Sequence, residues 1–105
     1  MAFTKPVNTI NGFINLGTVM RAAGYTGNGH VSKLLIFNPQ ASDLIYVHLT
    51  ENSTTAPTTK TDGIPVGAGS TAIGTSLSID TAIDITSVYI AATGVVAIKV
   101  AAAGY

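Results

Sequence analysis

Turn-forming residues interrupt every apolar run of this chain before a helix of stable length can form. Gly, Pro, Asn and Asp punctuate short runs rich in Val, Ile, Thr and Tyr, the pattern of strands joined by turns. The one helix-tolerant stretch, residues 18–23, lies between Gly17 and Gly24, which bracket it too closely for a stable helix. An all-β chain with at most one short helical turn is therefore predicted.

Strands are predicted at residues 13–20, 31–37, 44–49, 71–79, 87–92 and 95–101, with a short edge segment at 63–69 whose Pro65 cannot donate to a central ladder. Residues 38–43, Asn-Pro-Gln-Ala-Ser-Asp, close a hairpin between 31–37 and 44–49, and Thr93-Gly94 closes a terminal hairpin. Residues 51–61, with five Thr, one Ser, Pro57 and Lys60, read as an exposed loop. Seven or eight short strands with turns about every 8–12 residues point to a single-domain antiparallel β-sandwich, jelly-roll-like, over residues 13–105. The 105 residues are too few for two conventional cores, and no apolar run approaches a membrane span. Residues 1–12 mix Phe3, Val7 and Ile10 with Lys5, Pro6, two Asn and Gly12, and read as an arm that docks on a neighbour.

Charge narrows the function classes. Charged residues make up 10% of the chain, against roughly 25% in an average soluble domain. Five Lys+Arg balance five Asp+Glu, leaving no excess basic charge for the phosphate contacts that nucleic-acid binding needs. A surface of Thr, Ser, Asn, Gly and small apolar residues at zero net charge favours association. Burial against other subunits is expected, and a Thr-rich solvated β-domain is the alternative. Residues 34–37 and 44–47 are apolar on both faces, where a half-solvated strand would alternate. Leu35, Phe37, Ile45 and Val47 are accordingly candidate contacts, covered either by another subunit or by the N-terminal segment. With no cysteine, stability must come from packing rather than disulfides. The start of the chain lacks the apolar core of a secretory signal, so the product is expected to stay in the cytoplasm in which it is made.

Chemical motifs are sparse. His30, in a Gly-rich loop, and His48, inside an apolar strand, fall in different elements without metal-ligand spacing, and Asp80 and Asp84 flank a turn as Asp commonly does. No helix follows the glycines at 24–29 or 67–69 to offer its amides to a phosphate. Asn52-Ser53-Thr54 matches a glycosylation acceptor, irrelevant without export. No catalytic, cofactor-binding or metal-ligating residue is predicted, and an enzyme is not expected. Tyr25, with Asn28 and His30 in the same loop, is the one candidate aromatic platform for a sugar.

The succession Val31-Ser32-Lys33-Leu34-Leu35-Ile36-Phe37-Asn38, Leu44-Ile45-Tyr46-Val47, Asp62-Gly63-Ile64-Pro65-Val66-Gly67-Ala68-Gly69-Ser70 and Val88-Tyr89-Ile90-Ala91-Ala92-Thr93-Gly94-Val95-Val96-Ala97-Ile98-Lys99-Val100 resembles small virion structural proteins of tailed bacteriophages. Ala68 stands where that pattern often has Pro. The resemblance implies a β-sandwich capsid decoration, or cement, protein located on the virion surface. Its partners would be the major capsid protein and itself, as a homotrimer in preference to a dimer. The alternatives are a fibre or receptor-binding module that contacts host glycan through residues 24–30 and 51–61, and a small head–tail component.

Overall fold

Period-two alternation decides which way each strand faces. In β10 (Ala97–Ala103), Ile98, Val100 and Ala102 are buried while Ala97 and Lys99 are exposed; in β4 (Lys33–Phe37), Leu34 and Ile36 are buried and Lys33 and Leu35 exposed. The computed structural model describes residues 2–51, 56–69 and 72–104, which fold as one compact, mostly β domain with a radius of gyration of 12.5 Å. The acceptor-like triplet Asn52-Ser53-Thr54 and the start of the predicted 71–79 strand lie outside the described residues.

Two four-stranded antiparallel sheets hold most of the strand residues. The first runs β1 (Ala2–Asn8), β10, β4, β7 (Ser76–Ile79); the second runs β2 (Asn11–Asn15), β9 (Val88–Thr93), β5 (Ile45–Leu49), β6 (Ile64–Val66). A two-residue ribbon, β3 (His30–Val31) with β8 (Ile83–Asp84), stands apart from both. Both sheets contribute to one buried cluster that includes Phe3, Val7, Ile36 and Ile98 from the first and Ile14, Ile45, Val47 and Ile90 from the second.

Several expectations are corrected here. Neither predicted hairpin forms: β4 and β5 lie in different sheets, as do β9 and β10, so residues 38–44 and 94–96 are crossovers between sheets. Among the eight longer strands only β5 and β6 are both consecutive and paired. Residues 2–8 are an integral strand rather than an arm, since β1 pairs with β10 from Ala2↔Ala103 to Asn8↔Ala97 and buries Phe3 and Val7 in the domain's own core. The predicted strand at 13–20 breaks after Asn15 into helix α1 (Leu16–Ala22). Asn15 caps it, its Oδ1 accepting the Thr18 N–H, while Leu16 and Met20, one turn apart, are fully buried.

Buried polar side chains fix the crossovers. The Thr9 hydroxyl donates to the Gly94 carbonyl at 2.8 Å and accepts the Val96 N–H at 2.8 Å, joining the β1–β2 and β9–β10 connections. Asn38 donates through Nδ2 to the carbonyls of Asp43 (2.7 Å) and Val66 (3.0 Å), and its Oδ1 accepts the Gln40 N–H. Both residues are 1% exposed or less, so each connection has its buried polar groups paired inside the protein.

Candidate functional site

The candidate contact residues separate cleanly by face. Phe3, Val7, Ile45 and Val47 point into the core and are unavailable to a partner. Leu35 and Phe37 point the other way, onto the outer face of the first sheet, where Leu35 is 40% exposed and Phe37 half-buried. Ile10, 51% exposed, lies on the β1–β2 crossover. Alternation therefore holds in β4; its second face is apolar because Leu35 and Phe37 stand there.

Registers fix the composition of that outer face. One cross-strand row reads Thr4, Ala101, Leu35, Ser78 and the next Pro6, Lys99, Phe37, Ser76. The side chains are short apart from Leu35, Phe37 and the lysines, which leaves a groove of about 300 Å³ bordered by Ala2, Thr4, Lys33, Leu35, Ser78 and Ala101. Charge is uneven: the outer face carries Lys33 and Lys99 against one carboxylate, Asp80, which lines the groove just past the end of β7, while Lys5, opposite the core residue Val100, belongs to the other side of β1. The zero net charge of the chain conceals this asymmetry. Sequence reasoning missed it because strand order in a sheet, not proximity along the chain, gathers these lysines.

The second sheet's outer face is covered by the chain itself. Tyr46 and His48 of β5 face outward, and His48 is 8% exposed under the segment that carries a 3-10 turn at Lys60–Asp62. His48 Nε2 lies 2.9 Å from the Lys60 carbonyl oxygen, which can only accept, so Nε2 bears the proton. The ring also meets Phe13 edge-on at 5.5 Å, and Lys60 Nζ donates to Asn11 Oδ1 at 2.7 Å. The cover over β5 is thus neither another subunit nor the N-terminal segment; of the described part of residues 51–61, Pro57 and Lys60 are half-buried and the others exposed.

Of the candidate ligand loop, Asn28 and His30 share a cavity of about 390 Å³ with Ala82, Ile83 and Asp84. Tyr25 does not join them as a platform. It is buried, packs edge-on against Phe3 at 5.8 Å, lies under the Arg21 guanidinium at 5.4 Å and accepts the Gly29 N–H at its hydroxyl. Asp84 Oδ1 accepts both the backbone N–H and the hydroxyl of Thr86, capping the 3-10 turn at Ile85–Ser87. Burial pushes the Asp84 carboxyl up, but the Thr86 hydrogen bonds and the nearby His30 and Arg21 charges outweigh it and hold the group below its ordinary value. Asp80 lines the groove of the first sheet instead. Among the described residues no three potential metal ligands cluster, and no helix is long and apolar enough to cross a membrane.

Comparison with known proteins finds no matching family model, no matching curated protein and no matching solved structure.

Proposed function

We propose that this chain is a capsid decoration protein, a non-enzymatic structural component that is made in the host cytoplasm and binds and stabilises a bacteriophage head. The observation that carries the reading is the outer face of the first sheet. It is a continuous four-strand surface of short side chains, with Leu35 and Phe37 at its centre, Lys33 and Lys99 on its strands and one carboxylate, Asp80, at the edge of its groove. Such a face suits a broad, flat protein partner with carboxylates around an apolar patch. With Leu35 40% exposed and Phe37 already half-buried, covering what remains of each contributes about 0.5–1 kcal/mol before association costs.

The strand order supports a jelly-roll sandwich as the finer description of the fold. With the two-residue β3 and β8 set aside, the remaining strands in chain order pair as 1-8-3-6 and 2-7-4-5, the arrangement of two interlocked Greek keys. The proposed partners are the major capsid protein and two further copies of this chain, as a trimer on the head surface. Self-association through two identical copies of the lysine-bearing face would set like charges together, so that face is assigned to the capsid and the trimer contacts to other surfaces.

Co-sedimentation tests the proposal, using empty heads assembled from a major capsid protein encoded beside this gene. The expected result is saturable binding of wild type, loss of binding by Leu35→Asp with the fold retained, and a trimer by light scattering of the eluted protein. Wild-type protein left in the supernatant overturns the proposal.

A further inference from the structure

Asn followed by Gly occurs twice in the chain, at Asn11–Gly12 and Asn28–Gly29. This dipeptide is the one most open to succinimide chemistry, because glycine has no Cβ to obstruct attack by its own backbone nitrogen on the preceding side chain. The fold treats the two sites differently.

Asn11 opens strand β2. Its ladder to β9 runs through Asn11↔Thr93 and Gly12↔Ala92, and although Gly12 takes a φ of 140°, pairing of both residues in the strand resists the backbone rotation that ring closure on the Gly12 nitrogen requires. Its Oδ1 also accepts the Lys60 ammonium at 2.7 Å, which draws electron density from Cγ, so the protection rests on the ladder. Asn28 is exposed and belongs to no ladder. Its Oδ1 accepts the His30 N–H at 3.0 Å, which folds the side chain back along the Gly29 peptide and draws electron density from Cγ. The Gly29 N–H makes a 3.2 Å bond to the Tyr25 hydroxyl, and Gly29 takes a φ of 90°.

We infer that Asn28 is a site of spontaneous deamidation and isoaspartate formation, and that the β2 ladder protects Asn11. The Gly29 N–H leaves its bond to the Tyr25 hydroxyl as the loop opens, gives its proton to hydroxide, and the nitrogen attacks Asn28 Cγ. The new C–N bond closes a five-membered succinimide, and the side-chain nitrogen leaves as ammonia, taking a proton from water and regenerating hydroxide. Water then opens the ring at either carbonyl, giving aspartate or isoaspartate. One water is consumed, one ammonia is released, and no oxidant or reductant takes part. The product places a second carboxylate in the cavity that holds Asp84 and His30, lowers the net charge by one, and in its isoaspartate form lengthens the backbone of the 24–30 loop by one atom.

The test is peptide mapping of folded protein aged in mildly alkaline buffer, with the chain in guanidinium as reference. Trypsin cleaves after Arg21 and Lys33 and so separates the two sites. The expected result in the folded state is that Asn28 converts about tenfold faster than Asn11, a barrier difference of ~1.4 kcal/mol. In guanidinium the two rates should converge, both should rise with pH, and Asn28→Ser should abolish the mass gain in its peptide. Conversion of Asn11 as fast as Asn28 in the folded protein overturns the inference. So does an Asn28 that stays intact while the unfolded chain reacts.

Discussion

Thr9 shows how much a single hydroxyl can organise in a chain with so few charges. It serves two connections at once, donating to Gly94 and accepting from Val96. Thr9→Val keeps the shape but leaves a buried N–H and a carbonyl without partners, and should cost about 1–3 kcal/mol. The denaturation midpoint should fall by about 4–8 °C for each kcal/mol lost in a domain of this size. Asp84 gives the residue-scale prediction for pH. Its folded carboxyl lies below the ordinary 3.8, so its stabilisation is fully present above that value and is lost as pH falls through the lower folded value. Chemical denaturation of wild type and Asp84→Asn should therefore show wild type more stable at neutral pH and the gap closing below about pH 4. A gap that widens in acid contradicts the assignment of Thr86 as the group that holds the carboxylate ionised.

Among the elements, α1 is where local reading and three-dimensional packing part company. Gly17 and Gly24 look like brackets that exclude a helix, yet each has a place in it. Gly24, at φ 109°, follows the last turn, donating to the Arg21 carbonyl while Tyr25 donates to that of Met20, which closes the helix as a Schellman motif. At Gly17 an added Cβ would sit 2.9 Å from Thr86 Cγ2 and 3.3 Å from Thr86 Cα. Gly17→Ala gains about 1 kcal/mol of helix propensity but forces α1 off the Ile85–Ser87 turn, at a typical overpacking cost of about 1–3 kcal/mol. Net destabilisation in thermal melts is the expected outcome; a stabilised variant would show that the helix has room to shift. Seven residues are too few to hold a helix by propensity alone, so burial of Leu16 and Met20 decides, and only the Asn15 cap and the 16, 19, 20 spacing announce it. Most strand positions were legible because alternation and turn residues act locally. The false hairpins at 31–49 and 87–101 arose because a short connection can either pair two strands or carry the chain across to the facing sheet. Residues 38–43 and 93–94 do not by themselves distinguish these outcomes, because the bonds that fix the crossovers, Thr9 to Gly94 and Asn38 to Val66, span 85 and 28 residues.

For the whole molecule, strand order matters more than composition. The scarcity of charge indicated an associating surface but not which one, and four of the seven apolar contact candidates proved to be core. Sheet order brings Leu35, Phe37, Lys33 and Lys99 onto one face, with Asp80 as the carboxylate at the edge of its groove. Long-range attraction by the lysines should weaken with salt while the apolar centre keeps its contribution. The central claim, that this face seats the protein on a phage head, is tested most directly by cryo-electron microscopy of heads mixed with the protein. The account predicts trimeric density on the shell with the β1-β10-β4-β7 sheet against the capsid and residues 24–30 away from the contact. Bare shells, or density seated through the 24–30 loop with that sheet facing solvent, would contradict it.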